Sequence, residues 1–305
     1  MSLAGLKYFL TKPGGWFFFL SSRGLLNWMD DETYIRRVYR YALGCEPDLE
    51  HPKNFNEKLN WMKLHDRNPL YTQLVDKYEV KRFVAERIGA EHVVPLLGGP
   101  WDSVDEIDFD KLPEQFVLKC THDSGSVVIC RDRSLFDLES AKAKLSRALR
   151  RNYYWSNREW PYRDVKPRVI AEAFLDCGDA SDLLDYKCFC FHGEPKLLYI
   201  SNDHGADPHT DFYDMEFRRL PIRMKDPNSI NGYPRPACFD ELKQLAARLS
   251  EGLTHVRVDF YCIDDRIYFG EYTMYHNSGF QSIAPPEWND ILGSWIRLPT
   301  DHIAP

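Results

Sequence analysis

Apolar residues recur at helical spacing in the first third of the chain and alternate with polar ones later. Tyr34, Ile35, Val38 and Tyr41 follow the acidic run Asp30-Asp31-Glu32 and extend to Gly44, a helix with acids at its positive end. Asn54 and Glu57 form a capping-box pair ahead of Leu59 and Met62. A third helix is predicted from about Thr72 to Ile88, carrying Leu74, Val75, Tyr78, Phe83 and Val84 and closed by Gly89. Beyond Gly89 the period changes. Val93–Leu97 reads as a short strand or edge. Phe116–Cys120 and Val127–Cys130 read as a hairpin across the turn-forming Thr121–Ser126. Asp137–Arg151 is an amphipathic helix with Leu138, Ala141, Leu145 and Leu149 inward. Strands at Val169–Phe174, Tyr186–Phe191 and Lys196–Ile200 follow, then a helix at Phe239–Leu253. A last hairpin pairs Val256–Cys262 with Ile267–Thr273 around Asp264-Asp265. Helices early and hairpins late define an α+β chain.

The 305 residues carry 39 Lys+Arg and 46 Asp+Glu, a net charge of −7. That balance argues against a non-specific nucleic-acid binder, and 44% hydrophobic residues argue against global disorder. The longest apolar run, Gly14–Leu20, falls well short of the roughly 18 residues of a membrane span and lacks the flanks of a signal peptide. Residues 1–30 therefore either rest in a membrane interface or cap the protein's own core, and the cap is the favoured reading. The expectation is a cytoplasmic protein, peripheral to the inner membrane face at most through weak surface contact by residues 14–20. None of the eight cysteines forms a Cys-x-x-Cys pair, so buried free thiols are expected, with Cys188 and Cys190 on one strand face.

Three groups of residues carry candidate chemistry. Alternation puts Arg257 with Asp259, and Glu271 with Thr273, on single faces of adjacent strands. If those faces meet, two carboxylates converge, which is costly unless a cation lies between them; Mg²⁺ suits such a pair, while a solvated hairpin face is the plainer account. Lys119 lies inside an apolar strand, where burial requires an anionic partner, and it leads into His122-Asp123-Ser124-Gly125-Ser126. That loop is either a phosphate-lining turn or simply a hairpin connection. Glu172 is a lone acid in the strand Ile170–Leu175, placed either for a ribose or adenine amine or toward water.

The order of these groups resembles the ATP-grasp superfamily: Asp76-Lys77, Lys119, Ser124-Gly125-Ser126, Glu172, then Asp259 with Glu271. More narrowly the chain is similar to the TupA-like ATP-grasp family of polysaccharide-biosynthesis loci. The stretches that carry this are Asn54–Leu59, Asp66–Tyr71, Asp76–Tyr78, Phe116–Cys120, Asp185–Lys187, Phe191–Lys196, Phe212–Asp214 and Tyr268–Thr273, and the resemblance covers about residues 30–299.

The resemblance implies an ATP-grasp fold, with a nucleotide cleft between two α+β subdomains and a helical region before them. Its divisions are 1–65 (helical region), 66–110 (pre-ATP-grasp region), 111–168 (small, flap subdomain) and 169–305 (large subdomain with metal and acceptor site). Lys77 and Lys119 would hold the phosphates of ATP beneath a flap of Ser124, Gly125 and Ser126. Glu172, with the backbone of Ala173 to Leu175, would hold adenine and ribose. Asp259 and Glu271 would bind Mg²⁺ with Thr273 as a further contact. Arg257 would neutralise charge on the reacting oxygens, with Lys187 beside the phosphate or acceptor.

Two departures accompany this. Thr273 stands where many ATP-grasp chains have Asn, and the flap has Asp123 and Ser126 in place of glycines. The implied activity is carboxylate–amine ligation through an acyl phosphate on a sugar or uronic acid precursor. Phosphorylation of a sugar hydroxyl, or a non-catalytic nucleotide- or glycan-binding subunit, are the alternatives. Trp155, Trp160, Tyr162, His204, His209, Tyr213 and Tyr275 are candidate sugar-lining residues.

Overall fold

A computed structural model describes residues 14–176, 178, 183–202 and 208–299. Among the described residues five helices come first: α1 (Gly15–Ser22), α2 (Asp31–Leu43), α3 (Phe55–His65), α4 (Leu70–Val75) and α5 (Glu79–Ile88). Asn54 and Glu57 complete a reciprocal capping box on α3, and Gly44 ends α2 in the left-handed conformation. The single helix expected over 72–88 is two. The chain turns extended at Asp76, whose carboxylate accepts from the N–H groups of Tyr78 and Glu79 at 2.8 and 3.2 Å and so starts α5 afresh.

The strands β1 (Leu96–Trp101), β2 (Phe116–Cys120), β3 (Val127–Cys130) and β4 (Val169–Ala173) form an antiparallel sheet in the order β1-β4-β2-β3. Between β3 and β4 lie α6 (Leu138–Leu149) and the short α7 (Tyr154–Asn157). Phe116, Leu118, Cys120, Val169 and Ala171 share a core with Leu145 and Ala148 of α6. Alternation leaves Val117, Lys119 and Glu172 on the opposite face. This sheet draws β1 from the 66–110 segment and β4 from the 169–305 segment, so it spans the last two of the three expected boundaries. Glu172 pairs with Val117 and Leu96, contacts too distant in sequence for a pattern along the chain to reveal.

The second sheet has six antiparallel strands in the order β10-β9-β5-β6-β7-β8. These are β5 (Asp185–Phe191), β6 (Glu194–Ser201), β7 (Thr210–Tyr213), β8 (Arg219–Leu220), β9 (His255–Ile263) and β10 (Arg266–Thr273). Helix α8 (Phe239–Ser250) packs Leu242, Leu245, Ala246 and Leu249 under one face, in a core with Cys188, Cys190, Val256 and Val258. The other face carries Lys187, Phe189, Arg257 and Asp259, part of it covered by Phe55 of α3, whose ring lies 6.2 Å from that of Phe189.

Helix α3 also holds a later segment of the chain, ahead of, within and just beyond α9 (Glu287–Ser294). Asn56, Lys58, Asn60 and Lys63 donate to the carbonyls of Gln281, Gly293, Ile296, Gly279 and Ser278 at 2.6–2.9 Å. Between the two sheets runs the segment after α5. Val93 bridges Phe269 of β10, and the Pro95 carbonyl accepts from the Ala173 N–H at 2.9 Å.

Cys188 and Cys190 are buried free thiols, but Cys238 and Cys262 form a disulfide where free thiols were expected. Packing of α8 on its sheet brings the helix start over the end of β9. At the N-terminal end, Phe17, Leu26 and Met29 cap a small core with Tyr34 and Val38.

Candidate active site

On the open face of the four-stranded sheet, Glu172 is clamped by two lysines. Lys119 Nζ lies 2.6 Å from Glu172 Oε2 and Lys81 Nζ lies 2.5 Å from Oε1. Burial by itself pushes the Glu172 carboxyl up, but the two ammonium groups outweigh it and hold the pKa at about 2. Burial lowers the pKa of Lys81, with Glu172 opposing the shift, and its Nζ also donates to the Val94 carbonyl at 2.9 Å. Lys81 was not singled out in the sequence. A lysine on an amphipathic helix reads as a solvated charge, and only the break at Asp76 turns α5 so that Lys81 points at β4.

Lys77 sits within that break. Its N–H donates to the Thr121 carbonyl at 3.0 Å and its ammonium to the Asp123 carbonyl. It therefore anchors the β2–β3 loop, while Lys81 takes the second oxygen of Glu172. In the loop, Ser124 and Gly125 are exposed and Gly125 has φ +95°, with nothing within 4 Å of the position a Cβ would take. Ser126 is buried. Its hydroxyl donates to the Asp123 carboxylate and accepts from the Cys120 N–H at 3.3 Å. Asp123 thus has its charge engaged within the loop. His122, fully enclosed, ties the loop to the carbonyls of Ala148 and Arg151 at the end of α6. At the end of β4, the half-buried Ala173 and Phe174 border a groove of about 740 Å³. Leu175 follows, also half-buried.

The six-stranded sheet presents the complementary group. Asp259 stands opposite Lys187 on β5 and opposite Glu271 on β10, and Arg257 stands opposite Thr273. A bulge makes this register. Phe269 pairs with Phe260, but Glu271 pairs with Asp259, leaving Gly270 as the extra residue. Without that slip Gly270 would oppose Asp259, and Glu271 would point to the other face. The glycine inside Tyr268-Phe269-Gly270-Glu271 was the available signal for the bulge.

Two carboxylates do converge, and a cation of the chain itself lies between them. Arg257 forks onto Asp259 at 2.7 and 2.6 Å and reaches Glu271 at 3.5 Å. Its remaining nitrogen contacts His276 Nδ1 at 2.7 Å. A guanidinium only donates, so His276 Nδ1 accepts and the neutral ring carries its proton on Nε2. Burial, then the charge of Arg257, holds His276 well below the usual histidine range in agreement. Asn277 Nδ2 lies 3.1 Å from Nε2, so the Nε2 proton requires that amide to be turned with its oxygen in the nitrogen's place. Burial raises Asp259 to about 6 against the opposing pull of Arg257. Lys187 donates to Ser201 Oγ at 2.8 Å and lies 3.6 Å from Asp185.

The two clusters lie near enough to act on the same side chains. Tyr261 of β9 lies in the fields of both Glu172 and the Asp259–Glu271 pair, and Tyr153 lies between Ser124 of the loop and Glu271. Behind the acid pair is a buried network. Ser278 donates to Glu159 at 2.5 Å, while Lys63 donates to the Ser278 carbonyl at 2.6 Å and the Asn60 side chain at 3.0 Å. Burial pushes Lys63 down and Glu159 up, each opposing the other's shift. Asn277 and Ser278 both hold left-handed backbone, at φ 46° and 54°, a costly conformation kept by these contacts.

The donor set fits Mg²⁺. Among the described residues no three His, Cys, Asp or Glu side chains gather as a metal site, so a cation at Asp259 and Glu271 needs the rest of its shell from phosphate and water. Glu271, with 39% of its side chain exposed, is the open member; Asp259 is shared with Arg257. Trp160, Tyr162, Tyr213 and Tyr275, expected as sugar-lining rings, are instead buried in the main core. Tyr213, for example, stacks on Phe217 at 4.3 Å. Trp155 and His209 are half-buried, and His204 lies outside the described residues.

One antiparallel sheet bears Lys119 and Glu172, with Lys81 of α5 against them, and the other bears the Asp259–Glu271 pair, which is the arrangement the ATP-grasp resemblance implies. Residues 57–297 match the family described as TupA-like ATPgrasp, and the chain belongs to that family. No curated protein matches the sequence. Among solved structures the chain is similar to a D-alanine–D-alanine ligase from Bacillus anthracis complexed with ATP, at 16% identity and TM-score 0.39, over 66% of this chain and 55% of that one. It is similar also to an L-amino acid ligase from Bacillus licheniformis, at 13% identity and TM-score 0.42, over 83% and 57%. A D-alanine–D-alanine ligase from Helicobacter pylori gives 14% and 0.40, over 72% and 59%. The chain thus spans a little over half the length of these ligases.

Proposed function

We propose that this protein is an ATP-dependent ligase that joins a carboxylate to an amine, acting on a sugar or uronic acid precursor of a surface or capsular polysaccharide. The observation that supports the reading is a lysine cluster around Glu172 on one sheet and an acid pair on the other, near enough for Tyr261 to lie in the fields of both. A magnesium-bound triphosphate has the same two-sided charge. Lys119 and Lys81 would release Glu172 to hold phosphate oxygens, and Glu172 would turn to ribose or adenine beside Ala173 and Leu175. Lys77 would keep the Ser124–Ser126 loop over the phosphates. Asp259 and Glu271, with Thr273 beside them, would hold Mg²⁺, which supplies charge neutralisation between the phosphates.

In the reaction the substrate carboxylate attacks the γ-phosphorus and ADP leaves. The amine then attacks the acyl carbon, phosphate leaves, and the amine nitrogen loses a proton. Arg257, fixed by Asp259 and His276, is placed to face the oxygen on which negative charge grows, and Lys187 flanks it on β5. Positioning and electrostatics are the means available here. The substrate class rests on the family's association with polysaccharide loci.

Incubation of the pure protein with ATP, Mg²⁺, uronic acids and amines tests the reading. ADP, free phosphate and an amide are expected. A phosphorylated sugar without free phosphate would identify a kinase. Tight ATP binding with no ADP under any acceptor would leave a binding subunit.

A further inference from the structure

The N-terminal segment has a second apolar face that the described residues leave exposed. Helix α1 and the turns after it bury Phe17, Leu26 and Met29 against Tyr34 and Val38. On the outer side Trp16 is 54% exposed, Leu25 58% and Trp28 79%. Phe19 lies 5.9 Å from the Trp16 ring, and the Arg23 guanidinium sits 5.2 Å above Phe19. The Trp28 indole donates to the Leu25 carbonyl at 3.0 Å, so that ring is held in place while its faces remain in water. A helix that is apolar on every side belongs in an apolar environment, yet here only one side has one.

Charge separates this segment from the rest of the molecule. Residues 1–29 contain Lys7, Lys12 and Arg23 and no Asp or Glu, a charge of +3 in a chain whose total is −7. The acids that follow are all engaged. Asp30 caps α2 through the Thr33 N–H, Asp31 accepts from Tyr154 and faces Arg158, and Glu32 pairs with Arg36. What is presented outward is two tryptophans, a leucine and an arginine, the residue types that seat at the headgroup level of a bilayer.

Size argues against a second copy of the chain. At about 250 Å² for a tryptophan, the exposed fractions amount to on the order of 400 Å² of apolar surface. That matches the largest patches on monomeric proteins, and is half the roughly 800 Å² each partner contributes to a stable pair. A shallow wedge needs less, because lipid closes around it.

We infer that the Trp16–Trp28 face is a docking surface for an anionic lipid bilayer, with Trp16, Phe19, Leu25 and Trp28 entering the interface and Arg23 meeting lipid phosphates. Binding at this face is independent of the cleft and of the ligase reading.

Cosedimentation of the full chain with vesicles of phosphatidylcholine alone, and of an equimolar phosphatidylcholine–phosphatidylglycerol mixture, tests it. The wild type is expected to bind the mixed vesicles more tightly than the neutral ones. A W16S/W28S variant should lose about ten-fold or more in affinity, and R23E about five-fold, with salt near 0.5 M mimicking R23E. Vesicle addition should shift tryptophan emission to the blue in the wild type and not in W16S/W28S. Both positions are exposed, so an unchanged melting temperature is expected and separates lost docking from lost folding. Absence of vesicle binding, or equal binding by W16S/W28S, overturns the inference. So does a concentration-dependent dimer that W16S/W28S abolishes, which would give the face to a second copy.

Discussion

The two walls of the cleft solve opposite electrostatic problems. On the four-stranded sheet two ammonium groups share one carboxylate; on the six-stranded sheet one guanidinium is shared by two carboxylates. The first cluster has an excess of positive charge and holds Glu172 near pKa 2. The second sets two carboxylates on one guanidinium, and burial, with Glu271 adding to it, raises Asp259 to about 6 against the pull of Arg257. On the proposed reading an anion would take the place of Glu172 between the lysines, and a cation would join Asp259 and Glu271.

The largest effect should come from the acid wall. Asp259→Asn removes the fork that aims Arg257, and turnover is expected to fall about 100- to 1,000-fold, with far less effect on melting temperature. Equal loss of activity and stability would make Asp259 structural and end the comparison. Next is Glu172→Gln, which leaves Lys81 and Lys119 close together without their anion. About 3 kcal/mol of stability should be lost, read by urea denaturation. Inorganic tripolyphosphate should then raise the melting temperature of Glu172→Gln more than that of the wild type; equal shifts would mean the lysines do not face the polyphosphate.

Acid separates the walls by sign. Glu172 is depressed in the folded state, so its contribution is complete above its unfolded pKa of about 4.5 and drains as pH falls toward 2. Asp259 is raised, so the native state takes up its proton first and this site favours folding more as pH falls from about 6 toward 4. The stability gap between wild type and Glu172→Gln should accordingly hold from pH 7 to 5 and close near pH 2–3. The gap for Asp259→Asn should instead change between about pH 6 and 4. Smallest is Gly270→Ala. A Cβ there would stand 3.2 Å from the Asp259 carbonyl and 3.3 Å from the Tyr261 ring, and a cost of roughly 1 kcal/mol is expected in thermal melts.

Local pattern made both hairpins legible. Alternation placed Lys119 on its strand and put Arg257 with Asp259 on one face, and Asp264-Asp265 marked the turn, where both residues take positive φ. What escaped depends on contacts distant in sequence or on a single irregularity. Lys81 needs the Asp76 break to aim it. The facing of Glu271 and Asp259 depends on the bulge at Gly270. The partnership of β4 with β1 and β2 spans tens of residues. Lys63 and Glu159 are 96 positions apart and meet only through Ser278. Aromatic residues proposed for a sugar surface turned out to be core, because an aromatic's type does not reveal which side of a sheet it faces.

Helix α3 donates side-chain hydrogen bonds to carbonyls 215 to 238 residues further along the chain. During synthesis these donors leave the ribosome long before their acceptors exist. The helix can form at once, but its docking must wait until residues 278–296 have emerged, so maturation of the site is tied to the synthesis of that later segment. A product truncated before Ser278 would keep Lys119, Asp259 and Glu271 in its sequence and yet lack the backbone that α3 fastens, making it a target for quality control rather than a partly active enzyme.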